Sequence, residues 1–129
     1  MSRLNDMFNS IITEQVNANK NQLMAEAERT ACRILQEGYG FTYNGVSELD
    51  KNLLLISFQK TSGQIDVKMT VGYSDKTNGI EIHSYVFIST QQVYHALNND
   101  GEIETIVQAA YDDLKAWLEQ LKESLDEVV

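Results

Sequence analysis

A chain of 129 residues with 43% hydrophobic residues has the length and apolar content of one domain with one core. Its formal charge of −9, from ten basic against nineteen acidic residues, argues against direct nucleic-acid binding, where affinity comes mainly from lysine and arginine. The apolar runs fall far short of the roughly 20 residues that span a bilayer, no signal-type apolar core follows Met1, and the lone Cys32 has no internal disulfide partner; the expectation is a cytosolic protein without a membrane segment.

No proline, repeat or low-complexity linker divides the sequence, which predicts a single α+β domain over 1–129. Leu4, Phe8, Ile11, Ile12 and Val16 recur at helical spacing, as do Leu23, Ala27, Ala31 and Ile34. Gly38 marks a helix stop. One straight helix over 3–37 would extend about 52 Å, past the roughly 36 Å diameter of a chain this size. Either the Asn-rich stretch 17–21 breaks this long N-terminal helix, or a second subunit buries the overhang.

From Tyr39 the apolar period changes from 3.6 to 2, and Asn44-Gly45, Ser62-Gly63 and Asn78-Gly79 read as turn signals. The pattern predicts a four-stranded antiparallel meander over 40–45, 51–60, 64–73 and 79–89. Ile65, Val67, Met69, Val71 and Tyr73 alternate with polar residues, as do Ile80, Ile82, Val86 and Ile88 with Ser84 as the exception, so one sheet face is apolar. The expected register pairs Val71 with Ile82, Val67 with Val86, Phe58 with Ile65 and Ile56 with Val67. The outer face then carries rows of Leu53, Thr70 and His83, of Leu55, Lys68 and Tyr85, and of Ser57, Asp66 and Phe87. That surface is rich in apolar groups for one meant to meet water.

Thr90 is expected to cap a short helix carrying Val93, Tyr94, Ala96 and Leu97, which Asn98-Asn99-Asp100-Gly101 interrupts. Asn99 and Glu102 then resemble a capping box for a last helix. On it Ile103, Ile106, Val107, Ala110, Leu114, Leu118, Leu121, Leu125 and Val128 share one arc, predicted to pack on one sheet face with Tyr111 and Trp117 at its flanks.

Catalytic signatures are missing. The sequence has no phosphate-binding glycine loop, dinucleotide fingerprint or nucleophile elbow. One Cys and two His cannot close a zinc site from thiolates and imidazoles alone, and 98–102 lacks the ligand spacing of a calcium loop. Neither a metal nor a cofactor is expected. His83 is the one residue worth weighing as a general base, but the pocket and orienting partner such a base needs are not legible. His95 has a weaker case, and Cys32, beside Arg29 and Arg33, reads as a small helix residue. The expectation is a protein that is not an enzyme.

Residues 100–129 hold nine acids against Lys115 and Lys122, seven of the nine net negative charges. Asp112, Lys115, Glu119, Lys122 and Asp126 form an i+3/i+4 stripe that stabilises a solvated helix, and Asp100, Glu102 and Glu104 suit a helix N-terminus. Asp113, Glu123 and Glu127 remain as an acidic partner-binding face. The leading expectation is a protein-binding module whose acidic C-terminal helix engages a basic nucleic-acid-handling protein, as an inhibitor that mimics nucleic acid. In element order the chain is similar to some small acidic phage inhibitors of bacterial defence nucleases, an analogy of architecture without a shared motif. A homodimeric adaptor is the alternative, similar in size and charge to small acidic secretion chaperones, with Leu53, Leu55, Lys68, His83, Tyr85 and Phe87 of the outer sheet face as its contact surface. A small-molecule carrier or sponge is the further alternative.

Overall fold

Strict alternation in the middle of the chain produces an antiparallel meander with one buried face, and helical stripes on either side of it in sequence supply the cover. The computed structural model describes residues 20–50, 53–74, 76 and 78–128, with 47–50, 53–54 and 124–128 described by backbone alone. Within these residues the chain is helical over 20–31 (α1) and continues as a π-helical segment, Cys32–Gly38. Five strands follow: β1 (Thr42–Asp50), β2 (Leu53–Ser62), β3 (Ile65–Ser74), β4 (Gly79–Ile88) and β5 (Gln91–Asn98). The helix α2 (Ile103–Val128) closes the order. The strands lie side by side in sequence order.

Both helices cover the same sheet face. Ile56 and Phe58 of β2, Val67, Met69 and Val71 of β3, and Ile80, Ile82 and Val86 of β4 are buried there. Above them sit Met24, Ala27 and Ala31 of α1 and Ile106, Val107, Ala110 and Leu114 of α2, spaced so that each helix turns one stripe inward. The expected arc of α2 is therefore in place, with Leu114 fully buried and Leu118 and Leu121 partly so. The side chains of Leu125, Val128 and Glu127 lie outside the described residues. So do residues 1–19, and with them the first half of the expected N-terminal helix and most of its Asn-rich stretch.

The first helix ends where expected but in an unexpected geometry. Its last turn is widened to π geometry, and the Phe41 amide donates to the Leu35 carbonyl at 2.8 Å. The helical run ends at Gly38, the expected stop, and Gly40, at φ 76°, takes the left-handed position that turns the chain out of it.

The sheet has five strands among the described residues where four were expected. Gln91–Asn98, expected as a short helix, is β5. Ser89 and Thr90 adopt φ of 50° and 72°, the left-handed pair of a two-residue hairpin turn, and Tyr94, Ala96 and Asn98 are the more buried residues. Two adjacent pairs of apolar residues, Val93-Tyr94 and Ala96-Leu97, mimic a helical stripe in so short a segment. β1 also extends further than expected. Asn44-Gly45 is a bulge within it, with a register shift between Tyr43 and Gly45 and φ 89° at Gly45, a glycine bulge and not a hairpin turn.

The register of β3 with β4 is the expected one, Val71 to Ile82 and Val67 to Val86. That of β2 with β3 is displaced by four residues: Phe58 pairs with Met69 and Ile56 with Val71. Gly63, at φ 60°, opens a two-residue turn between Ser62 and Ile65, which lies two residues further along the chain than the expected pairing implied. An even displacement keeps the inner set buried and changes which outer residues are neighbours.

Candidate binding surfaces

Three surfaces carry the polar and apolar groups that the interior does not use. The first is the sheet face that no described helix covers. Its rows are Ser57, Thr70, His83 and Leu97; Gln59, Lys68, Tyr85 and His95; and Thr61, Asp66, Phe87 and Gln92. Leu55 pairs with Gly72 and Leu53 with Asp50, so the expected rows joining Leu53 to His83 and Leu55 to Lys68 and Tyr85 do not form. Lys68, His83, Tyr85 and Phe87 do come together. Residues on β5 that the helical reading hid join them: His95, together with Val93 and Leu97, which are 40% and 47% exposed.

The rings on this face form a ladder. Tyr85 lies 6.4 Å from Phe87, 6.1 Å from His83 and 4.8 Å from His95 between centroids, with interplanar angles of 25°, 13° and 18°. His83 and His95 are almost coplanar, 6° apart, and Nδ1 of one stands 2.9 Å from Nε2 of the other. One imidazole donates and the other accepts. His83 Nε2 is 3.4 Å from a Glu81 carboxylate oxygen, and that neighbour favours a proton on Nε2. His83 Nδ1 is then the acceptor and His95 the donor. An orienting carboxylate for His83 therefore exists, but the chain Glu81, His83, His95 runs across an open sheet surface and not into a cleft.

Polar groups border the ladder. Lys68 Nζ lies 5.4 Å from the Phe87 ring centroid and 4.0 Å from Asp66. Asp66 accepts hydrogen bonds from Gln59 at 2.8 Å and Thr61 at 2.9 Å.

The second surface is the solvent side of α2, and several of its acids have local partners. Asp113 accepts a hydrogen bond from Asn98 at 3.3 Å. After burial, its charge is the second cause that pushes the Tyr94 phenol up, and Tyr94 leans on Trp117 at 4.8 Å. Asp112 accepts from Gln108 at 3.0 Å, and Glu104 pairs with Arg33 at 3.3 Å. Glu119 and Glu123 are exposed, with no hydrogen bond or ion pair to another described residue. Of the expected acidic triad, Asp113 is thus engaged within the fold, Glu123 is open, and Glu127 falls outside the described side chains.

The third surface was not legible in the sequence. Where the first helix ends, Tyr39 stacks on Tyr111 and Phe41 meets the same ring edge-on at 6.3 Å. Beyond that contact α2 is the only described helix over the tip of the β2–β3 hairpin. A groove of about 360 Å³ remains between them, with Ile65, Leu114, Leu118 and Leu121 among its walls and Lys60, Lys115 and Lys122 at its edge.

Cys32 is held as a thiol. Burial first, then the Glu28 and Glu37 carboxylates, push it up from its ordinary value, the opposite of what a nucleophilic thiolate needs. Among the described residues no three Cys, His, Asp or Glu side chains converge as a metal-ligand set, and no helix is long and apolar enough to cross a membrane. Comparison with protein-family models, curated proteins and solved structures gives no match to this chain.

Proposed function

We propose that this chain acts by binding a second protein surface through its open sheet face. The observation that carries this reading is the ring ladder of Phe87, Tyr85, His83 and His95 flanked by exposed Val93 and Leu97. Soluble sheets with one free face usually make it polar. Here an apolar and aromatic centre has a polar border of Lys68, Asp66, Gln59 and Gln92, the anatomy of an interface core and its rim. Five strands spaced about 4.8 Å, about 26–33 Å long, offer roughly 700 Å², near the 800 Å² or so that a standard complex buries on each partner.

The acidic helix supports a second reading, because Glu119 and Glu123 are exposed without a partner among the described residues. It lies on the side of the molecule opposite the ladder, since α2 packs on the buried sheet face. A single flat partner would not meet both. The acidic face can still accelerate encounter with a basic protein, such as one that handles nucleic acid, at low salt.

An affinity pull-down from the host's lysate, with light scattering of the purified protein, separates the readings. The sheet reading expects Tyr85→Ala combined with Leu97→Glu to abolish capture or self-association, while Glu119→Gln with Glu123→Gln leaves it intact. The reverse result favours the acidic face. A double sheet variant that folds and retains every contact of the wild type rejects the proposal.

A further inference from the structure

The groove beside α2 departs from the chain's charge balance. Acids outnumber bases by nineteen to ten, yet three of those ten bases, Lys60, Lys115 and Lys122, stand at this one groove and no carboxylate of the described residues lines it. Lys115 and Lys122 are seven residues apart on α2, two helical turns, and so share one side of it. Lys60 faces them from β2, its ammonium donating to the Tyr39 carbonyl at 2.8 Å and lying 5.8 Å from the Phe41 ring centroid. Glu119, four residues from Lys115 and three from Lys122, borders the two lysines on their solvent side, and Glu123 lies further round α2.

The walls are apolar and deepen inward, from Leu118 and Leu121, partly exposed, to Leu114, which is buried. The groove is open because the first helix stops short: the chain turns at Gly40 into β1, and nothing described covers the hairpin tip beyond Tyr111. Its volume lies at the low end of the roughly 300–1,000 Å³ typical of small-molecule sites. An apolar slot this small, with three lysines and no carboxylate among the described residues that line it, fits a single alkyl chain that ends in a negative charge.

We propose that this groove is a binding site for a medium-chain fatty carboxylate, with the alkyl tail against Leu114, Leu118 and Ile65 and the carboxylate among the ammonium groups of Lys60, Lys115 and Lys122. The site is separate from the open sheet face, being on the helix side of the molecule. Each methylene added to the ligand tightens binding roughly fourfold until the slot is full. The lysines set the sign of the head group, and as flexible point charges they do not require one fixed geometry.

Isothermal titration of the full chain with octanoate, decanoate, decanol and decylammonium tests the assignment. Decanoate is expected to bind at least tenfold tighter than octanoate and than decanol, and decylammonium not to bind. In Lys115→Glu combined with Lys122→Glu, both at exposed helix positions, decanoate is expected to weaken at least tenfold and decylammonium to bind instead. Thermal melts of that variant confirm that it remains folded. Equal binding of decanoate and decylammonium, or no decanoate binding up to about 1 mM, overturns the proposal. So does binding to phosphatidylglycerol vesicles with none to free decanoate, which assigns the lysines to a membrane surface.

Discussion

Tyr39 lies face to face with Tyr111, ring centroids 3.5 Å apart and planes within 10° of each other. The Gln108 side-chain amide donates to the Tyr39 hydroxyl at 2.7 Å, so α2 holds this ring both by stacking and by a hydrogen bond. The contact joins the end of the π-helical segment to the middle of α2, residues that are distant in sequence. Tyr111→Ala removes the stack and the edge contact with Phe41, and is expected to cost about 3 kcal/mol. Tyr39→Phe removes the hydrogen bond alone and is expected to cost about 1 kcal/mol. Urea unfolding of both variants checks the ratio; equal losses would mean that the ring contact contributes nothing beyond the hydrogen bond.

The β4–β5 turn holds two non-glycine residues in the left-handed region, Ser89 and Thr90. Ser89 has compensation, because its amide and hydroxyl donate to the backbone and side-chain oxygens of Gln64 at 3.0 and 2.9 Å. Thr90 is β-branched and has no such bond among the described residues, and left-handed φ costs an L-residue about 1–2 kcal/mol. Thr90→Gly is expected to stabilise the protein by about 1 kcal/mol after glycine's own entropy cost, raising Tm by about 4 °C. A calorimetric scan that shows a lower Tm would mean that the threonine side chain contributes more than its backbone strain removes.

Ser84 is fully buried on the inner face of β4, and its hydroxyl finds no hydrogen-bond partner among the described residues. A buried hydroxyl without a partner keeps its desolvation cost, about 1–3 kcal/mol. Ser84→Ala is therefore expected to raise stability by about 1 kcal/mol in urea unfolding. A loss of similar size would show that the hydroxyl is satisfied by a group outside the described set.

Two phenols link stability to alkaline pH. Burial is the largest cause that pushes Tyr43 up, followed by the Glu28 carboxylate, the Cys32 thiol and a hydrogen bond to Glu28. Tyr94 is pushed up by burial and then by Asp113. A folded-state value above the unfolded one, near 10 for tyrosine, means that the native state holds the proton more tightly. The resulting stability is complete below about pH 10 and is lost as pH rises through the folded value. Tm is expected to fall as pH rises above about 10, and to fall less in Tyr43→Phe and Tyr94→Phe. An unchanged pH slope in both variants would assign the alkaline loss to other groups.

The parts of the fold that were legible rest on short-range rules. Val71 and Ile82 could be paired from sequence because strict alternation met a well-placed Asn78-Gly79. Phe58 and Met69 could not, because alternation fixes which face a residue occupies but leaves any even displacement equally buried. The turn at Gly63 decides between them, and that choice separated Leu53 and Leu55 from the rows assigned to them. The aromatic half of the open face, Tyr85 and Phe87, survived because both sit on β4, whose register with β3 was right. His95 and Leu97 were hidden by a turn without glycine or asparagine. The lysine-edged groove was beyond reach for another reason: it depends on where the first helix stops relative to α2, which is a property of packing and not of any local pattern.

Covering the sheet from both ends of the sequence has a consequence for synthesis. Ile106, Val107, Ala110 and Leu114 seal part of the inner face, so a nascent chain that has finished β5 carries a complete meander whose buried floor is still partly bare. Its last strand, Gln91–Asn98, holds no formal charge and no proline to discourage pairing with a neighbouring chain. A ribosome stalled between Asn98 and Leu114 would release an assembly-prone fragment, which makes prompt completion of α2 a matter of quality control as much as of architecture.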